Sequence, residues 1–108
     1  MTTIDERCAE ILPHATEMLA ATVSAGYSAT GIPSALSGAR ALRAILARGP
    51  EGITSAAYLE WHGTAVGMID NVIQLLETGE VVKARELMTD PRLGLHGLTI
   101  ACAGQPGW

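Results

Sequence analysis

At 108 residues and a formal charge of -4, the chain is long enough for one hydrophobic core and too short for two. The shortage of Lys and Arg argues against nucleic acid or an anionic membrane as partner, because both are bound by a surplus of those residues. Hydrophobic residues at 48% against 17% charged place the chain among folded proteins rather than disordered ones.

No apolar run reaches the ~20 residues that span a bilayer. The opening Met1-Thr2-Thr3-Ile4-Asp5-Glu6 lacks the basic-then-apolar order of a signal peptide, so a cytoplasmic setting is expected. The apolar share leans on alanine and includes no Phe. Each buried position therefore removes little area from water at about 25 cal/mol per Å². A core of this kind is commonly supplemented by subunit association, a metal or disulfides. Cys8 and Cys102 stand near opposite ends without CxxC spacing and are read as buried, reduced thiols.

In chain order, Thr3-Ile4-Asp5-Glu6 has the form of a capping box and opens a first helix. Ile4, Cys8, Ile11, Leu12, Ala15, Met18, Leu19 and Val23 continue it at spacings of three and four. Pro13 removes one backbone donor, so the helix either kinks near residues 9–12 or restarts; the unbroken periodicity favours a kink. Residues 26–32 read as a connection, and Pro33 suits the first turn of a second helix ending at Gly49-Pro50. Thr54 or Ser55 caps a third helix, with Ile53 placed to staple against Tyr58, and this helix runs to about Glu77. Thr78-Gly79 breaks it, residues 80–88 form a short fourth helix, and Thr89-Asp90-Pro91 resets the chain. Beyond that, Asp90 and Pro91 at one end and Gly104 and Pro106 at the other bracket either a fifth helix or an irregular tail. The whole reads as one all-α domain over residues 1–108, a small antiparallel bundle of four to five helices.

The third helix is the most informative stretch. Leu59, His62, Val66, Ile69, Ile73 and Leu76 form one apolar column and Trp61, Ala65, Met68, Val72 and Leu75 a second. Glu60, Gly63, Thr64, Gly67, Asn71 and Gln74 form a third column that is polar but almost uncharged and carries two glycines. Interior glycines disfavour a helix by about 1 kcal/mol each, so something should approach closely there. Two accounts stand: tight packing of the second helix, itself narrow at Ser34, Gly38 and Ala41, or a subunit interface.

Catalytic signatures are scarce. His62 lies on the apolar stripe, with Glu60 about 200° round the helix and Asp70 about 80° round and two turns on, so neither carboxylate meets it directly. His14 and His96 are isolated, no pair has zinc-ligand spacing, and no nucleotide loop or nucleophile elbow is present. No metal or cofactor is therefore expected. Whether the chain is an enzyme stays open, since helical enzymes assemble sites from scattered residues. Arg40, Arg43 and Arg48 make a local positive patch on the second helix, serving either to answer acidic residues of a neighbouring helix or to hold an anion. Trp108 at the end of the chain is either a disordered exposed aromatic or an anchor that docks into its own core or into a partner's groove.

The leading expectation is a non-catalytic, self-associating binding module, a homodimer formed through Gly63, Gly67, Asn71 and Trp108. The alternative is a small-molecule binder or small enzyme with a pocket between the first three helices, lined by Tyr58, Trp61 and His62, with Arg43 holding an anionic ligand.

Overall fold

A computed structural model describes residues 2–28 and 30–108; Met1 and Ala29, the latter inside the expected first connection, lie outside the described residues. Five helices follow in order, with no strand among the described residues. The all-α bundle read from the sequence is the observed architecture.

Helix α1 spans Ile4–Ala25 and opens as the capping pattern requires, the Thr3 hydroxyl accepting the Glu6 amide at 3.2 Å. The Glu6 carboxylate takes the Thr3 hydroxyl proton at 3.2 Å. Pro13 sits inside one continuous helix, so the chain does not restart there. Helix α2, Gly31–Ala47, holds Pro33 in its first turn. It stops where expected, with Gly49 at φ 79°, a conformation that disfavours a side chain.

Helices α1 and α2 approach each other closely. A Cβ on Gly38 would lie 2.8 Å from the His14 carbonyl and from the Met18 amide, and one on Gly31 would lie 2.7 Å from the Ala21 carbonyl. Ala35 and Ala39, fully buried between and beside these glycines, extend the same narrow face. Small residues thus bring two backbones together, and dispersion contacts along the seam offset the little area each alanine buries.

Helix α3, Ala56–Glu77, is capped by Ser55, whose hydroxyl accepts the Tyr58 amide at 3.2 Å. Its buried line is Tyr58, Trp61, Ala65, Met68, Ile69, Val72 and Leu76. The predicted two-column stripe is therefore rotated: Leu59 is 40% exposed, while His62, Val66 and Ile73 sit at the margin. Gly63 and Gly67 are exposed, with nothing within 4 Å of where a Cβ would stand. The account in which α2 packs on these two glycines is thereby overturned. They lie on the side of α3 opposite its core line, and α2 spends its own glycines on α1.

Helix α4, Val81–Met88, and helix α5, His96–Ala101, pack against α3, and α4 also meets α1. Asp90 and Pro91 do not start α5. The Asp90 carboxylate instead accepts the Arg92 and Leu93 amides at 2.8 Å and builds a turn. Gly94 then passes so close to the Met88 carbonyl that no side chain fits, and the Leu95 amide donates to that carbonyl at 2.8 Å. No described helix is long and apolar enough to cross a membrane.

The two cysteines are not free thiols. Cys8 and Cys102, both fully buried, form a disulfide across 94 residues with their Cα atoms 5.8 Å apart. Burial was legible in the sequence; the pairing was not, because the fold and not local spacing brings α1 and the residue after α5 together. Of the three supplements an alanine-weighted core can draw on, this chain uses a covalent one. Closing so long a loop restricts the unfolded chain by roughly 4 to 5 kcal/mol in the loop-entropy account. Cys8→Ala with Cys102→Ala should lower unfolding stability by about that amount in urea titrations, and wild type in dithiothreitol should converge on the same curve.

The glycines give a second, signed expectation. Gly38→Ala should destabilise, because the α1 backbone cannot give way. Gly63→Ala and Gly67→Ala should each raise monomer stability by up to about 1 kcal/mol through helix propensity alone. Thermal melts of the three variants decide it.

Candidate functional site

Two places in the fold concentrate chemistry. The first is built on Arg7, which stands on the inward stripe of α1 and is 1% exposed. Its guanidinium donates to the Tyr58 hydroxyl at 2.8 Å and to the Gly49 carbonyl at 2.8 Å, while Nε is buried without a partner. Among the described residues no carboxylate pairs with it. The positive charge meets instead the carbonyl end of α2, where the helix dipole is negative, and the Tyr58 ring, whose centroid lies 5.8 Å from the guanidinium carbon.

Tyr58 passes the bond on. Its oxygen accepts from Arg7, leaving its own proton for His62 Nδ1 at 3.1 Å. All three groups are satisfied together when the His62 proton sits on Nε2, a tautomer assigned from this network. Burial pushes the Tyr58 hydroxyl above its ordinary range; the hydrogen bond and charge of Arg7 oppose the rise and Glu10 adds to it. Burial, and then the Arg7 charge, hold the His62 imidazole below its ordinary value. At neutral pH the chain is therefore one cation solvated by two neutral groups, an arrangement that anchors α1 to α2 and α3.

Tyr58, Trp61 and His62 are brought together as the sequence suggested, the Tyr58 ring lying 5.8 Å from that of Trp61 and 5.6 Å from that of His62. Arg43 is engaged elsewhere, donating to Asp70 of α3 at 2.8 Å. Arg40 pairs with Glu77 at 3.3 Å and Arg48 with Glu10, so the positive patch of α2 is answered by acids on neighbouring helices. The guanidinium that Tyr58 meets is that of Arg7, which the sequence reading passed over, although an arginine on an apolar stripe one turn before Ile11 is itself a signal.

Of the residues considered for an interface, Gly63, Gly67 and Asn71 are exposed on the outer face of α3 with Glu60, Thr64 and Gln74. Trp108 docks on its own chain. Its indole donates to the Cys8 carbonyl at 3.0 Å and packs on the core, while Gln105 donates to Asp5 at 2.7 Å nearby.

The second place is an open groove of about 380 Å³ between the first half of α3 and residues 91–100. Trp61, Ala57 and Ile100 supply apolar walls; Glu60 of α3 and Arg92 and His96 of the other segment also line it. Trp61 spends its N–H inward on the Gly94 carbonyl at 3.1 Å, and the absence of a side chain at Gly97 lets α5 close on its ring. Nothing in the local sequence joins these segments, about thirty residues apart. No group of three or more His, Cys, Asp or Glu residues suited to a metal is assembled among the described residues. No protein-family model matches the chain, and neither the curated proteins nor the solved structures give a match.

The cluster predicts a pH dependence. Because the fold lowers the His62 pKa below 6.5, the unfolded chain takes up the proton first as pH falls. This contribution to stability is complete above about pH 6.5, declines below it, and levels off under the folded pKa. Tyr58, raised above 10.0, gives the opposite limb: its contribution is present below pH 10 and is lost as pH rises further. Urea midpoints of wild type and His62→Gln between neutrality and about pH 5 should show a shallower acid slope in the variant; equal slopes would place the imidazole outside this network.

Proposed function

We propose that this chain is a non-catalytic binding module that pairs with a second copy of itself through the outer face of α3. The observation that carries this reading is the open space around Gly63 and Gly67. Two glycines on the exposed face of a helix weaken it by about 1 kcal/mol each, and no contact among the described residues accounts for them. A neighbouring backbone approaching from outside does, and the flanking Thr64, Asn71 and Gln74 are neutral groups that desolvate at lower cost than charges. Two identical faces crossing here form an isologous contact, the commonest geometry of homodimers.

The buried disulfide favours an oxidising compartment for this module, in place of the cytoplasmic setting expected from the N-terminal residues. The tail, once a second route to association, is committed to its own core in this reading, leaving α3 as the surface for pairing.

Sedimentation equilibrium at micromolar concentration tests the proposal. Wild type should run at twice the 11.3 kDa chain mass. Gly67→Leu should run as a folded monomer whose melting temperature no longer depends on protein concentration, since its side chain enters open space within the chain. A monomeric wild type, or a Gly67→Leu dimer of unchanged affinity, would remove the α3 face from the account.

A further inference from the structure

We propose that the groove between α3 and α5 is a binding site for a free α-amino acid with a large apolar side chain. The argument starts from its walls. Ile100 is 56% exposed and borders the groove with the exposed Ala57, while Trp61 behind them is 4% exposed and spends its N–H inside the protein, so the lining offers a visiting group an aliphatic surface. Such a lining suits an aliphatic or aromatic side chain.

The rims select the rest of the molecule. Arg40, Arg43, Arg48 and Lys83 each pair with a carboxylate, whereas Arg92 has no ion-pair partner among the described residues. Glu60, which also lines the groove, has none either. A simple anion in this groove gains Arg92 but is repelled by Glu60, and a simple cation meets the reverse. A zwitterion satisfies both, its carboxylate in the planar fork of Arg92 and its ammonium on Glu60, with His96 beside the carboxylate as a further donor. The volume of about 380 Å³ lies at the lower end of small-ligand sites. The backbones that carry these groups, α3 and residues 91–100, are held together by the Trp61 bond to Gly94 and the close contact at Gly97, so the groove exists before the ligand arrives.

The test uses the intact disulfide-bonded protein and L-phenylalanine and L-leucine as probes, followed by calorimetry and by backbone amide and Trp61 indole resonances. Binding should saturate with Kd of about 1 mM or tighter, and shifts should cluster at residues 57–64 and 91–100. Phenethylamine, which lacks the carboxylate, and 3-phenylpropionate, which lacks the ammonium, should each bind at least about tenfold more weakly. Arg92→Gln and Glu60→Gln should each cost about tenfold in affinity for the amino acids with unchanged melting temperature, because both side chains are exposed. Ile100→Asp should abolish binding. Absence of saturable shifts with either amino acid, equal binding of the singly charged analogues, or unchanged affinity in Arg92→Gln would each overturn the proposal. Glu60 and Thr64 border both the groove and the outer face of α3, so the Arg92→Gln and Ile100→Asp outcomes, at residues away from that face, keep this test separate from the pairing proposed above.

Discussion

The fold turns on two adjacent residues in the first turns of α1. Arg7 reaches the carbonyl end of α2 through Gly49 and the start of α3 through Tyr58, and Cys8 is bonded to Cys102 just beyond α5. The Cys8 carbonyl also receives the Trp108 indole. Burying a guanidinium without a carboxylate is unfavourable by several kcal/mol unless its donors are met. Its terminal nitrogens are met by the two groups whose positions define where α2 ends and α3 begins. Removing either acceptor leaves a buried charge exposed to its full desolvation cost, so the helix ends cannot drift independently.

The long seam of the bundle obeys a different rule. Alanine and glycine bury little area, which by area alone makes a weak core at about 25 cal/mol per Å². They also let the α1 and α2 backbones approach to the limit set by Gly31 and Gly38. Where two backbones run this close, contacts between main-chain atoms supply part of what large side chains supply elsewhere. Larger residues, among them Tyr58, Trp61, Leu42, Ile69 and Leu98, fill the rest of the same contiguous core. The small-residue seam and the large-residue centre together explain how a chain without Phe closes one contiguous core.

Much of this was legible in the sequence because it is local. Caps at Thr3 and Ser55, the stop at Gly49 and the break at Gly79 depend on a few neighbouring residues and appear where those residues predict. What depended on the partner of a helix was not legible. Periodicity located the apolar side of α3 but not its centre, since the true line through Tyr58 is set by where α2, α4 and α5 happen to lie. The two glycines of α3 looked like packing devices, yet those devices sit on α2, and no property of a single helix tells its inner glycine from its outer one. The candidate cluster was half visible: Tyr58, Trp61 and His62 are neighbours on one helix, whereas Arg7, Arg92 and Ile100 join them only through the fold. Arg43 looked free because its counter-charge, Asp70, lies 27 residues away on another helix.

The pairing of Cys8 with Cys102 also has a meaning in time. A ribosome adding roughly 5 to 20 residues per second leaves the Cys8 sulfur waiting about 5 to 20 s for a partner that emerges 94 residues later. During that interval α1 has neither its bridge nor the Trp108 cover, and its inward stripe is available to the wrong neighbours. Helix α1 is thus made well before the segment that secures it. Any oxidant that closes this bridge acts only after Cys102 has emerged, whereas a chaperone meets α1 earlier, with its inward stripe uncovered.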